Sequence, residues 1–362
     1  MKRITSIDAL RAFALFGILL VHARHEFGLW GASTTNNIDF LLGVGIKHLF
    51  EGRFVLIFNI LFGVSFYIIL SKKDYPAGKF VWRCFLLALI GLFNRVFFDD
   101  DVLFKYGVCG MCLAPLRKMS NRQIVCIIVA FLIAGIAFVS LDYGSIIGYP
   151  ARYIDGQTFW EFLGTYPSTL LMLVKDFLNG YYFLIFASMG IGYLLGRLGF
   201  VESMDSSLKG RHVIISLAAY AMLGVLYYGA GYLGLLPSSF LSGLVHRLLC
   251  YSGAAFYWIF FIWLYNKSKV CHGLFSLFEP YGRLGLTNYT MQGFFGILVF
   301  YFFGVAKLGV PFLTVFLFAT LFFILQALFS ALWVKCFRYG PFEYLWRCAT
   351  ERKWIPNHQE KG

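Results

Sequence analysis

Ten runs of mostly apolar residues divide the chain, near residues 4–23, 53–71, 80–98, 101–116, 123–141, 181–200, 212–236, 243–265, 286–304 and 310–337. A membrane-spanning helix needs about 20 such residues. The runs are continuous and do not alternate, which argues against a transmembrane barrel. The pattern therefore predicts an all-α fold, a polytopic transmembrane helical bundle of about ten spans, with residues 1–362 forming a single integral membrane domain. Two segments depart from it. Residues 142–180 make an outer loop in which Thr158 to Leu178 is long enough to cross but carries Glu161, Pro167, Lys175 and Asp176. That stretch reads as an interfacial or re-entrant helix, and Ile38 to Phe50 as a second segment of the same kind. No internal repeat is visible.

Composition agrees: 59% of residues are apolar and 14% charged, which excludes an ordinary soluble protein. A net charge of +13 would suit nucleic acid, but the basic residues come in ones to threes between apolar runs. That is a topology signal, and no nucleic-acid partner is expected. With the N-terminus in the cytoplasm, 21 Lys and Arg fall on the inner side and 9 on the outer, so both termini are expected inside. The first run contains Asp8 and Arg11 and is not followed by a small-residue cleavage site, so it reads as a retained span. The eight cysteines lie within or beside apolar and basic segments and read as reduced packing residues. Cys109 and Cys112 have redox-motif spacing without the βαβ context that would support it.

Candidate chemistry lies where charge is expensive. An ionisable group inside a span costs about 2.5 to 3.5 kcal/mol on insertion scales and points by default to function. At 100° per residue, Asp8, Arg11 and His22 fall on one stripe of the first span, with His22 about 16 Å beyond Arg11. One reading is a structural Asp8–Arg11 ion pair and an interfacial histidine. The sharper one has Arg11 binding an anionic cytosolic ligand and His22 acting as general base in the same cavity, since a pKa near 6.5 leaves neutral imidazole available. Asn59, Asn94 with Arg95, Asn179, Asn288 with Gln292, and Glu343 are cavity-lining candidates, against interhelical hydrogen bonding as the alternative. Asp99, Asp100 and Asp101 read as a solvated turn, and no metal site is expected. His25 and His48 lie between the first two spans, on the side where an acceptor would arrive. No Walker loop, G-x-S-x-G, H-E-x-x-H or dinucleotide fingerprint is present, which excludes a pump carrying its own ATP motor.

Four segments, taken in order, resemble the YeiB-like family of bacterial membrane proteins. They are Arg3 to His22; Arg53-Phe54 running to Leu61-Phe62-Gly63; Leu286-Thr287-Asn288-Tyr289 with Gln292; and Arg338-Tyr339-Gly340-Pro341-Phe342-Glu343-Tyr344-Leu345-Trp346-Arg347. That family is grouped by resemblance with transmembrane acyltransferases such as heparan-alpha-glucosaminide N-acetyltransferase and, more distantly, the acyltransferase-3 proteins. The latter carry Arg, ten residues, then His in their first span, the spacing of Arg11 and His22 here. YeiB-like proteins more often have Asn at the His22 position, so this chain departs from them there.

The resemblance implies a multi-pass protein of the bacterial inner membrane. It would move an acyl group, acetyl above all, from cytosolic acyl-CoA to an extracytoplasmic glycan or lipid-linked acceptor. Acyl-CoA phosphates would meet Arg11, Arg83 and Arg347, with His22 and Asp8 serving the chemistry. His25, His48, Arg53, Asn288 and Gln292 would face the acceptor. Membrane lipids are expected partners, and a homodimer is compatible with the sequence. The alternative is a transporter or flippase for a lipid-linked or small anionic solute, with Asp8, Arg11 and His22 as a relay.

Overall fold

The computed structural model describes residues 4–25, 37–72, 74–97, 101–141, 159–235, 239–296 and 311–358. The regular elements among them are all helices, and the one extended pairing is an isolated bridge between Phe337 and His358. In chain order they are α1 Thr5–His25, α2 Asn37–Gly45, a π turn Ile46–Phe50, α3 Arg53–Leu70, α4 Ala77–Asn94 and α5 Leu103–Leu113 with a 3-10 turn Ala114–Lys118. Next come α6 Asn121–Leu141, α7 Phe159–Gly164, α8 Tyr166–Leu178, α9 Tyr181–Arg197, α10 Phe200–Ser207, α11 Gly210–Tyr232 and α12 Ser239–Lys267. The chain ends with α13 Lys269–Ser276, α14 Glu279–Arg283, α15 Gly285–Gly296, α16 Phe312–Cys336 and α17 Pro341–Glu351.

Among the described residues, seven helical stretches are long and apolar enough to cross a membrane, and α8 with α9 makes an eighth if that pair, bent by 66°, is one span. Of the other two expected runs, one is too short for a physical reason and one is described only in part. α5 has 11 residues, a rise of about 16 Å that falls short of a hydrocarbon core of about 30 Å, and it tightens into the 3-10 turn at Pro115. The run at 286–304 is described only as far as Gly296, where α15 ends. The stretch Asn37–Leu70 holds 34 residues, more than one span needs, and it is interrupted by the π turn and by Gly52 at φ +77. Thr158 to Leu178, expected at the interface or re-entrant, is helical as α7 and α8 from Phe159 onward. All eight cysteines are free.

α1 is the centre of the bundle. Ala9, Leu10, Ala12, Ala14, Leu15, Ile18 and Leu19 are all at most 2% exposed, and an all-round apolar helix of this kind belongs inside a protein. Around it, glycines set the spacing. An added Cβ at Gly63 of α3 would collide with the Met189 carbonyl of α9, and one at Gly192 of α9 would collide with the Ile60 carbonyl of α3. Gly91 of α4 and Gly107 of α5 stand in the same reciprocal relation, against the Phe104 and Ala88 backbones. Lipid supplies no hydrophobic drive for helices to associate, so close backbone approach through small residues does that work. α11, by contrast, has no buried residue.

Asp39 is buried, and its carboxylate accepts from the Leu313 amide at 2.8 Å. An α2 side chain thus caps the first turn of α16, where amides would otherwise lack partners.

Ala substitution at Gly63 or Gly192 is expected to cost about 1 to 3 kcal/mol, the usual range for overpacking. Thermal unfolding in detergent checks this, with Gly78→Ala as control because an added methyl there meets nothing within 4 Å.

Candidate functional site

α1 begins at the end of the bundle where α14, α15 and α17 meet. Asp8, Arg11, Arg283, Arg338, Tyr339, Glu343 and Arg347 line an open cleft of about 370 Å³ there. Four guanidinium groups against two carboxylates make it a cationic recess. Within it the Arg11 Nη1 donates to Asp8 Oδ1 at 2.9 Å and to the Gly282 carbonyl at 3.3 Å, while Nη2 donates to Ser65 Oγ of α3 at 3.1 Å. The expected i, i+3 ion pair therefore forms, and it fixes the Arg11 head where α1, α3 and α14 meet. Gly282 is required at this point, since a Cβ would collide with the Asp8 carbonyl.

The two sequence segments Leu286-Thr287-Asn288 and Arg338 to Arg347 interlock across the cleft. Glu343 Oε1 accepts from the Leu286 amide at 2.7 Å and the Thr287 amide at 3.0 Å, and Oε2 accepts from Thr287 Oγ1 at 2.5 Å. In return, Thr287 Oγ1 accepts from the Phe342 amide at 3.1 Å. Glu343 is thus the N-terminal cap of α15, supplied from another helix, with the charge sign that a helix N-terminus favours. Arg347 follows four residues later on the same face of α17, 4.6 Å from the centroid of the Tyr339 ring. Arg283 Nη2 donates to the Arg338 carbonyl at 2.7 Å.

α17 also docks on α4. Lys79 pairs with Glu351 at 2.6 Å, and this ammonium holds the Glu351 carboxyl below its ordinary range. Arg83 stacks 3.9 Å from the centroid of the Trp346 ring, and Trp346 Nε1 donates to the Arg83 carbonyl at 2.8 Å. Arg83 was expected at the acyl-CoA phosphates beside Arg11 and Arg347. Its guanidinium instead lies against Trp346 and is not among the residues lining the cleft.

His22 is 6% exposed, and its ring centroid lies 6.2 Å from that of Tyr289 on α15. The Tyr289 hydroxyl accepts from the Val102 amide at 3.2 Å. The cleft reaches Arg11 and not His22, because Leu15 and Ile18 fill the stripe between them, 0% and 2% exposed.

Asn288 and Gln292 belong to an interhelical network, which is the alternative stated for them. Asn288 Nδ2 donates to the Tyr281 carbonyl and to Ser330 Oγ, both at 2.9 Å, and Gln292 Nε2 donates to the Tyr281 hydroxyl at 2.9 Å. Asn59 Oδ1 accepts from the Tyr106 hydroxyl at 2.5 Å. Asn94 Nδ2 donates to Asp101 Oδ1 at 2.8 Å. Asp101 is buried, so the solvated acidic turn expected at 99–101 does not hold for it, while Asp99 and Asp100 lie outside the described residues. His48 Nδ1 lies 2.7 Å from the Tyr228 hydroxyl. Arg53 is buried at the start of α3. The side chain of His25, the last residue of α1, lies outside the described ones. Among the described residues, no group of three or more His, Cys, Asp or Glu is placed to hold a metal ion.

Arg283 is the cleft residue that sequence reasoning did not single out. Its signal was present in the short basic break between two apolar runs, close before Leu286-Thr287-Asn288.

The described architecture is that of a helical membrane protein with a cationic cleft at one end. Residues 195–353 match the family described as "Protein of unknown function (DUF418)". The chain is similar to the uncharacterized protein YxaH of Bacillus subtilis (strain 168), 26% identical with 98% of this chain and 96% of that one covered. It is also similar to the uncharacterized 39.9 kDa protein in the amylase 3' region of Bacillus acidopullulyticus, 27% identical over 98% and 96%. The uncharacterized protein YeiB of Escherichia coli (strain K12) is 26% identical over 97% of each. These matches support a YeiB-like family of uncharacterised proteins, as the four sequence segments implied.

Desolvation by burial raises the Glu343 carboxyl above its ordinary value of 4.5, against the opposing pull of its bonds from Thr287 and Leu286. The folded protein therefore holds this proton more tightly than the unfolded chain, and the contribution to stability falls as pH rises from 4.5 through the raised value. Thermal unfolding across that range is expected to show this slope in the wild type and to lose it in Glu343→Gln. An unchanged slope in the variant would refute the assignment.

Proposed function

We propose that this protein is a transmembrane acyltransferase that takes cytosolic acyl-CoA, with acetyl-CoA the first choice, and delivers its acyl group to a glycan or lipid-linked acceptor across the membrane. The observation that carries the reading is the cleft in which Arg11, Arg283, Arg338 and Arg347 converge on one open recess. Planar guanidinium forks suit the several phosphate groups of a nucleotide-like ligand. The resemblance to the YeiB-like family and the Arg11 to His22 spacing add to this support.

In this reading both termini are cytoplasmic, the cleft opens to the cytoplasm of a bacterial cell, and the membrane is the inner one. The phosphates sit among the arginines. The pantetheine arm follows the α1 stripe, about 16 Å from Arg11 to His22. Leu15 and Ile18 close that path, and α15 lies directly on it: a Cβ on Gly285 would stand 3.2 Å from Arg11 Cδ and 3.6 Å from Leu15 Cδ1. Passage therefore requires α15 to part from α1, at the end where Glu343 of another helix caps it. His22 takes the proton from an acceptor hydroxyl or amine as the acceptor attacks the thioester carbonyl. CoA thiolate leaves and is protonated, so one acyl bond breaks as another forms. Asp8 acts through Arg11, holding its head in place.

A transporter or flippase is the second reading, favoured by the 66° break between α8 and α9, since broken helices build solute sites in transporters.

Purified protein in nanodiscs is expected to release free CoA thiol from acetyl-CoA when a glycan acceptor is present. His22→Ala is expected to abolish turnover with acetyl-CoA binding retained, and Arg11→Ala or Arg347→Gln to weaken binding about tenfold or more. If no acyl-CoA binds or turns over and a solute accumulates in proteoliposomes instead, the transporter reading replaces this one.

A further inference from the structure

A second cationic cluster lies where α3 begins beside the π turn, α11 and α12, at the end of α3 opposite the one that carries Ser65 and meets Arg11. Its centre is Arg53, the first residue of α3, only 2% exposed. Nη1 donates to the Glu51 carbonyl at 2.7 Å. Nε and Nη2 have no partner in good hydrogen-bond geometry, the Tyr228 hydroxyl being the polar group that approaches the guanidinium, and among the described residues no carboxylate pairs with it. These two nitrogens form the side-on edge of the guanidinium, the fork that fits a carboxylate or phosphate through two parallel bonds. Burying such a charge is costly until a counter-ion arrives.

The surroundings favour an oxyanion. The guanidinium carbon lies 5.9 Å from the Tyr220 ring centroid, and Tyr228 and Cys250 are its other near neighbours. Tyr228 is held by His48, while His246 Nε2 lies 3.7 Å from Cys250 Sγ. Arg247 adds a second cation near Cys250. Glu51 is the acid of the cluster and is already engaged. Two glycines make the room: Gly52, at φ +77, turns the chain into α3, and Gly253 lets the Arg53 stem pass, since a Cβ there would stand 3.0 Å from Cγ.

α11, which carries Tyr220 and Tyr228, turns an apolar face outward. Val225, Met222 and Leu226 are 75%, 67% and 52% exposed, a surface that in a membrane faces acyl chains. We propose that Arg53, with Tyr228 and Arg247 beside it, binds a phosphate-type oxyanion, borne by the headgroup of an anionic or lipid-linked molecule that arrives laterally past α11. Free phosphate shares that chemistry. Binding here needs no group transfer and so goes beyond the proposed acyltransferase activity. Where that activity holds, this is the place at which a lipid-linked acceptor would be held.

The test uses full-length protein, delipidated in detergent and titrated with phosphatidylglycerol, phosphatidylcholine or inorganic phosphate under native mass spectrometry. The wild type is expected to retain phosphatidylglycerol, with affinity at least tenfold lower in Arg53→Gln and about threefold lower in Arg53→Lys, which keeps the charge but loses the fork. Arg347→Gln, in the other cleft, is expected to retain the lipid. Saturation by inorganic phosphate with the same Arg53 dependence, and no lipid retention, would assign a soluble anion as the source. Equal binding of every probe by wild type and both Arg53 variants overturns the proposal, as does equal loss in Arg347→Gln. If Arg53→Gln does not fold, Arg53→Lys and Tyr228→Phe carry the comparison. Acetyl-CoA binding by the Arg53 variants separates failure here from failure of the acyltransferase reading.

Discussion

A bilayer offers a buried polar group no water to bond, so each one must be answered inside the protein. Most of the described structure is arranged by that constraint. Asp8 answers Arg11, Asp39 answers the first turn of α16, Glu343 answers the first turn of α15, and Asn288, Gln292, Gln326, Tyr281 and Ser330 answer one another. Lys105 meets Asp176 at 2.7 Å, which ties the short α5 to α8. Apart from the local Asp8–Arg11 pair, these bonds join segments far apart in sequence, so they also fix the order in which the helices stand around α1. Among the described residues a few atoms keep bonding capacity in reserve, Gln292 Oε1, Asn94 Oδ1, Trp258 Nε1 and Arg83 Nε among them, and Arg53 does so with two guanidinium nitrogens.

Much of this was legible in the chain. The apolar runs located most of the helices, and the 100° periodicity placed Asp8 and Arg11 together correctly, because a local ion pair on one helix depends on that helix alone. What failed to show depends on tertiary contact. The length of α5 was not visible, since apolar character near Leu103 to Leu113 continues past the point where Pro115 ends the regular helix. The cap on α15 was not visible either, because Glu343 lies 57 residues after Leu286 and no local pattern links them. Arg83 was expected at the acyl-CoA phosphates, and its stacking on Trp346, far away in sequence, had no local sign. The separation of His22 from the cleft follows from the size of Leu15 and Ile18, and periodicity carries no information on whether a stripe between two polar residues is hollow or filled.

The two ends of the bundle divide the chemistry. One presents an open recess with four guanidinium groups, suited to a soluble polyanion. The other presents a closed, aromatic-lined arginine beside an exposed apolar helix, suited to a ligand that comes through the lipid. The acyltransferase we propose, which would bring a water-soluble donor to one side and a membrane-borne acceptor to the other, needs both kinds of surface, and His22 is buried on α1.

The reciprocal glycines have a bearing on motion. Where Gly63 faces the Met189 carbonyl and Gly192 faces the Ile60 carbonyl, the backbones are near enough for Cα–H···O contacts, weak singly but repeated along the seam. A seam of that kind resists sliding, because any shift by a fraction of a turn puts a side chain where only hydrogen fits. α3 with α9, and α4 with α5, therefore behave as a stator. Gly282 of α14 meets the Asp8 carbonyl just as closely, so α14 is locked to α1 by the same device.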